Sequence, residues 1–192
     1  MMMKNGPASN LSPEYLLLGL LAQKPAHGYE LHQRLTEEFG HIWHISLSQT
    51  YNILKRLEKQ GAIAGEDEQQ ENRPARRFFD LTAEGRQRFD AWLDSTVGCS
   101  TRAIRVGFLT RLAFAESLHP KLVPGLLERQ IIKVQDGMAR LQASLADLPA
   151  EQTYNRLALQ LRVRQLIPML DWLAECQAVW RENGNFKTLS LP

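Results

Sequence analysis

The chain has 192 residues, 44% hydrophobic and 23% charged, with a formal net charge of +2. That length suits one domain or two small ones, and the composition supports an ordinary buried core while excluding collagen-like, disordered and disulfide-stapled classes. The two cysteines, Cys99 and Cys176, are too far apart for a CxxC metal knuckle or redox motif, and isolated thiols fit a reducing compartment. No run of about 18 apolar residues exists, so no transmembrane helix is expected. Residues 1–10 lack an apolar signal core and read as a flexible arm, which points to a cytoplasmic location. Up to Val97, eleven Lys and Arg face thirteen Asp and Glu, a balance of −2; the remainder carries +4. Any anionic partner of the first half must therefore be met by placed cations, not by bulk charge.

Ser12-Pro13-Glu14 is a helix start: Ser caps, Pro fits the first turn, and Glu favours the positive helix end. The leucine-rich run that follows predicts a helix buried on most sides, ended by Lys24-Pro25. A second helix is expected over 27–39, with Tyr29, Leu31, Leu35 and Phe39 on its apolar side and Gly40 as a stop. Ser46 or Ser48 caps a third helix that runs to Gln60 and stops at Gly61. Spacings of four, three and three put Leu47, Tyr51, Leu54 and Leu57 on its inner face. The period then changes. Residues 62–65 and 77–81 read as short strands, the polar run 66–76 as a hairpin tip, and Thr82-Ala83-Glu84 as the start of a fourth helix to about Thr96. Three helices, a hairpin and a helix are the order of a winged helix-turn-helix, here assigned to residues 11–97.

Residues 97–100 read as a boundary, and 98–192 as an all-helical domain, so the fold class is mainly α. One helix is expected over 102–118, closed by His119-Pro120, and a second over 123–148. In the latter, Leu127, Ile131, Val134, Met138, Leu141, Leu145 and Leu148 alternate steps of four and three, a heptad seam. The last helix, 151–183, repeats it through Leu159, Val163, Leu166, Leu170 and Leu173, with Pro168 as an internal kink. The seams can pair with each other or with a second subunit; Leu127, Ile131, Val134, Met138, Leu141, Leu166 and Leu170 are the candidate dimer contacts.

The third helix carries the functional signal. With the leucines inward, Gln49, Asn52, Arg56 and Lys59 lie outward, flanked by Lys55. Such a face fits the major groove, where Asn and Gln pair with adenine edges and Arg or Lys with guanine. Ser46, Ser48 and Thr50 at the helix start suit phosphates. The hairpin adds Asn72, Arg73, Arg76 and Arg77, a basic wing for phosphates or the minor groove, although Glu66, Asp67, Glu68 and Glu71 share it. No Gly-rich phosphate loop, GxSxG elbow or paired carboxylate site marks an enzyme. His41-x-x-His44 lies in a loop without Cys or carboxylate support, so neither a metal site nor a cofactor is expected.

At these residues a family resemblance appears. His27-Gly28-Tyr29-Glu30-Leu31 resembles the "GYEL" element of PadR-type regulators, and the stretch from Ser48 through Gly61 resembles their recognition helix, with Asn52 where the family often has Pro. Arg73-Pro74 and the stretch from Arg76 to Gly85 resemble their wing and exit strand. The resemblance implies that Tyr29 and Tyr51 reach the DNA backbone; a core position for either is the alternative. In the longer members the helical region carries dimer contacts and helps form an effector pocket. This implies a homodimeric repressor on pseudo-palindromic operator DNA, released when a small aromatic (phenolic) acid alters the angle between the halves. An apolar slot plus a cation for the carboxylate gives Trp43, Arg102, Arg105 and Trp172 as effector candidates. The rival readings are a winged-helix protein-interaction module that binds no DNA, and a metal- or drug-responsive regulator.

Overall fold

Leu16, Leu17, Leu18, Leu20 and Leu21 crowd one short stretch, and a helix so apolar all round has to sit at a centre. In the computed structural model, which describes residues 11–70 and 73–187 and, for 69, 70 and 73–76, the backbone only, that helix is α1 (Glu14–Gln23). It packs against α2 (Gly28–Phe39), α3 (Leu47–Lys59) and α4 (Ala83–Leu93). Ser12 serves the start through its hydroxyl, which accepts from the Glu14 N–H at 3.4 Å. The expected flexible arm, residues 1–10, lies outside the described residues.

The wing is longer than the sequence suggests. Strands β2 (Ile63–Gln70) and β3 (Arg73–Leu81) pair antiparallel from Ile63↔Leu81 outward, with a register shift between Glu68 and Gln70. Much of the polar run read as a hairpin tip is therefore strand. Its charges pair across the ladder, as in Arg77 with Asp67 at 2.8 Å, which offsets the poor strand propensity of acidic residues. A third strand, β1 (Ala26–His27), adds to the other side of β3 through Ala26↔Phe79 and gives the order β1-β3-β2. Two residues after a proline give no periodicity, so this strand has no sequence signal. Gly61 turns the chain from α3 into β2 with φ +73°, a backbone region that Gly enters without a Cβ clash. Thr82 caps α4, its hydroxyl accepting from the Gly85 N–H at 3.0 Å.

The chain divides into two compact units, residues 1–95 and 96–192. In the second, the helix expected over 102–118 begins with a π-helical segment (Ala103–Phe108) before α5 (Leu109–Leu118). α6 (Val123–Asp147) and α7 (Thr153–Asn183) then pack on each other. Leu127, Val134 and Leu166 are buried within this unit, while Ile131, Met138, Leu141 and Leu170 are half-buried. The two seams thus meet inside one chain, and Leu127, Val134 and Leu166 offer no surface to a second subunit. Gln130, also fully buried, binds both the N–H and the carbonyl of Val97 and ties the start of this unit to α6. Among the described residues no helix is long and apolar enough to cross a membrane.

Candidate nucleic-acid interface

α3 is fixed at its start by a capping box. The Ser46 hydroxyl accepts from the Gln49 N–H at 3.3 Å, and the Gln49 side-chain carbonyl accepts from the Ser46 N–H at 2.8 Å. Ser46 is the cap, and Ser48 is left free. The buried stripe is Thr50, Ile53, Leu54 and Leu57. This is one position round from the stripe expected, and Leu47 and Tyr51 are exposed instead. The reason is that the Thr50 hydroxyl is fully satisfied: it donates to the Ser46 carbonyl at 3.2 Å and lies 3.0 Å from His32 Nδ1 on α2. A satisfied hydroxyl can occupy a core position that hydropathy alone would give to leucine. Thr50 is consequently no phosphate contact; it fastens α3 to α2.

The re-phased helix presents Ser48, Asn52, Lys55 and Lys59 directly opposite the buried stripe, at spacings of four, three and four. All four are exposed, and their side chains make no hydrogen bond or ion pair with other described residues. Tyr51 flanks this row at 45% exposure, its ring edge packed over Gly28, so that a Cβ there would stand 2.7 Å from Cε1. The neighbouring Tyr29 is 62% exposed. Both tyrosines therefore leave the core, and Tyr29 is not part of the apolar side of α2.

Two residues expected to read bases are engaged elsewhere. Gln49 spends its carbonyl on the capping box, and the Arg56 Nε donates to Glu14 Oε1 at 2.5 Å. On the wing, Arg77 donates to Glu58 Oε1 of α3 at 2.5 Å and to Asp67 at 2.8 Å. Glu58, then Asp67, hold its guanidinium firmly protonated. His27 Nε2 lies 3.1 Å from Glu68. Asp67 and Glu68 are thus turned toward the domain's own Arg77 and His27. The side chains of Arg73 and Arg76, with Asn72 and Glu71, lie outside the described residues. Sequence reading missed Glu14 and Arg88, because nothing in the spacing says which cation meets the single charge of a leucine helix.

Of the effector candidates, Trp43 is half-buried and lines a cavity of about 420 Å³ in the first unit, with Leu35, Ile45, His44, Ser46 and Gln49. Arg102, Arg105 and Trp172 belong to the second unit; both arginines are exposed and Trp172 is half-buried on α7.

Residues 17–91 match the transcriptional regulator PadR-like family, and residues 104–181 match the C-terminal region of the virulence activator alpha family. The negative transcriptional regulator PadR of Bacillus subtilis is 28% identical over 137 residues, 71% of this chain and 75% of that protein. The crystal structure of Bacillus subtilis PadR in complex with operator DNA aligns with 86% of this chain and 97% of its own, at 25% identity and a TM-score of 0.44. A Streptococcus transcriptional regulator aligns with 41% of this chain and 75% of its own, at 32% identity and a TM-score of 0.35. These relatives are regulators and not enzymes. With a winged helix over the first of the matched regions and helices throughout the second, the chain carries a PadR-like regulator domain followed by a helical region like that of the virulence activator alpha family.

Proposed function

We propose that this regulator binds operator DNA as a cytoplasmic homodimer and represses transcription until a small aromatic acid binds. The observation that carries the DNA reading is the free row Ser48, Asn52, Lys55 and Lys59 on a helix whose opposite face is locked into the core. Asn52 has the amide geometry for an adenine edge, and the two lysines suit guanine edges or phosphates. Tyr29, Tyr51, Ser48 and the wing arginines Arg73 and Arg76 supply backbone contacts at either side. The Bacillus relative is named as a negative regulator, which favours repression here.

Dimerisation places two copies of α3 in successive major grooves, about 34–36 Å apart. Its surface is sought on α7, where Tyr154, Leu157 and Leu161 share an exposed face. The cavity beside Trp43 has room for one aromatic ring against an indole and a leucine, which supports an aromatic effector. Arg102, Arg105 and Trp172, which belong to the second unit, remain effector candidates in their own right.

The test is a gel shift with the DNA immediately upstream of the gene for this chain, at two salt concentrations, with and without hydroxybenzoic and hydroxycinnamic acids. Specific binding that one acid releases is the expected result. Binding that no acid releases removes the effector and keeps the DNA reader. No binding at low salt removes the DNA reader and favours a protein-interaction module.

A further inference from the structure

Glu14 is the only charged residue of α1 and is almost wholly buried. Its two carboxylate oxygens are held separately. Oε1 accepts from Arg56 Nε of α3 at 2.5 Å, and Oε2 accepts from Arg88 Nη2 of α4. Arg88 also donates to Gln60 Oε1 at 2.7 Å, at the end of α3, and its guanidinium lies over the Tyr15 ring, 5.4 Å from the centroid. Tyr15 in turn stacks on Trp92 at 4.8 Å. One carboxylate thereby joins the last turn of α3 to both neighbouring helices.

This fastening complements the one at the other end. The start of α3 is held by the capping box and by His32 on Thr50, and its middle by Leu54 and Leu57. Without Glu14, the last turns, which carry Lys55 and Lys59, would keep Leu57, the Gly61 turn, the Glu58–Arg77 ion pair and the Arg88–Gln60 bond, but would lose their ion-paired tie to α1. Base-edge contacts tolerate about 0.5 Å of misplacement, so a small swing there changes which edges the outward row can reach. A buried carboxylate with charge-assisted bonds is also costly to leave unpaired. Arg56 is thus tied to Glu14 through Nε, while the rest of its guanidinium stays half exposed.

We propose that Glu14 is a positioning residue for sequence recognition. It sets the pitch of α3 through Arg56 and Arg88, and Arg56 serves that pose without touching DNA. This inference rests on the DNA-binding reading. Its test uses the full chain with Glu14→Gln, Arg56→Gln and, for contrast, Lys59→Gln. Affinity is measured by fluorescence anisotropy over a series of salt concentrations. The two probes are the upstream duplex named above and a scrambled duplex of equal length.

The expected result for Arg56→Gln is an unchanged slope of log affinity against log salt, because no phosphate contact is lost. Its preference for the upstream duplex falls by about tenfold. Glu14→Gln shows the same loss of preference, and the double variant is no worse than either single one, since all three break one linkage. Lys59→Gln, by contrast, lowers the slope by about 0.9 if it meets a phosphate. Partial unfolding would weaken both duplexes equally, so the preference ratio separates positioning from stability. Arg56→Gln retains the Glu14–Arg88 pair, which keeps at least one variant folded. A slope lowered by about 0.9 in Arg56→Gln, or an unchanged preference in Glu14→Gln, overturns the proposal. Failure of the parent chain to bind either duplex overturns the DNA reading itself, and this inference with it.

Discussion

Cys176 shows how burial sets the chemistry of a single side chain. It is 1% exposed on α7, and burial, aided by the nearby Glu175 carboxylate, pushes its thiol up to about 11. The thiolate is the reactive form, so Cys176 should resist a thiol reagent at pH 8 until the chain is unfolded, as mass spectrometry of the alkylated protein will show. A raised folded value means the unfolded chain releases this proton first. The stability contributed is present below about pH 9 and is lost as pH climbs toward 11. Thr50 gives the same lesson in reverse. As a sequence letter it is a polar residue at a helix start, suited to phosphate. Only its two hydrogen-bond partners, one of them eighteen residues away on α2, make it a core residue. Residues whose surroundings depend on such distant partners, Thr50 and Glu14, were misassigned or missed in the sequence. Asn52 and Lys55, whose roles depend on local helix geometry, were placed outward in both readings.

At the scale of elements, α3 owes its limits to Gly61, legible in advance, and to Ser46, one of two serines the sequence offered as its cap. Ser46 opens it and Gly61 ends it. Ser46→Ala should cost about 1 kcal/mol through the lost cap. Gly61→Ala should cost about 1–2 kcal/mol through the left-handed backbone. Both are measurable as shifts in the urea midpoint. Helix existence was readable because caps and stops are local signals. The phase of α3 was harder, since Leu47 and Tyr51 compete with Thr50 and Ile53 for the inner face, and tertiary hydrogen bonds decide it. The wing strands were underestimated for a related reason: their pairing relies on cross-strand charges such as Arg77 with Asp67, which strand propensity does not count. β1 was invisible, because two residues become a strand only where β3 offers a free edge.

For the whole molecule, the heptad seams announced α6 and α7 but left their partner open, since a repeat of four and three serves a hairpin and a dimer equally. Their packing within one chain uses Leu127, Val134 and Leu166, while Tyr154 remains 86% exposed beside Leu157 and Leu161. Under the proposed dimer, a Leu157→Ser, Leu161→Ser double variant should keep its helical circular dichroism yet raise the dissociation constant by about a hundredfold or more, given the apolar area of two leucines per subunit. Sedimentation equilibrium checks this, and an unchanged dimer would move the interface off this face. The free row on α3 has a further consequence. Ser48, Asn52, Lys55 and Lys59 support nothing behind them, so they can be exchanged without disturbing the helix they ride on. Duplicated copies of such a gene could part ways in what they recognise by a handful of substitutions, each viable from the first step, because divergence of target and retention of fold draw on separate sets of positions.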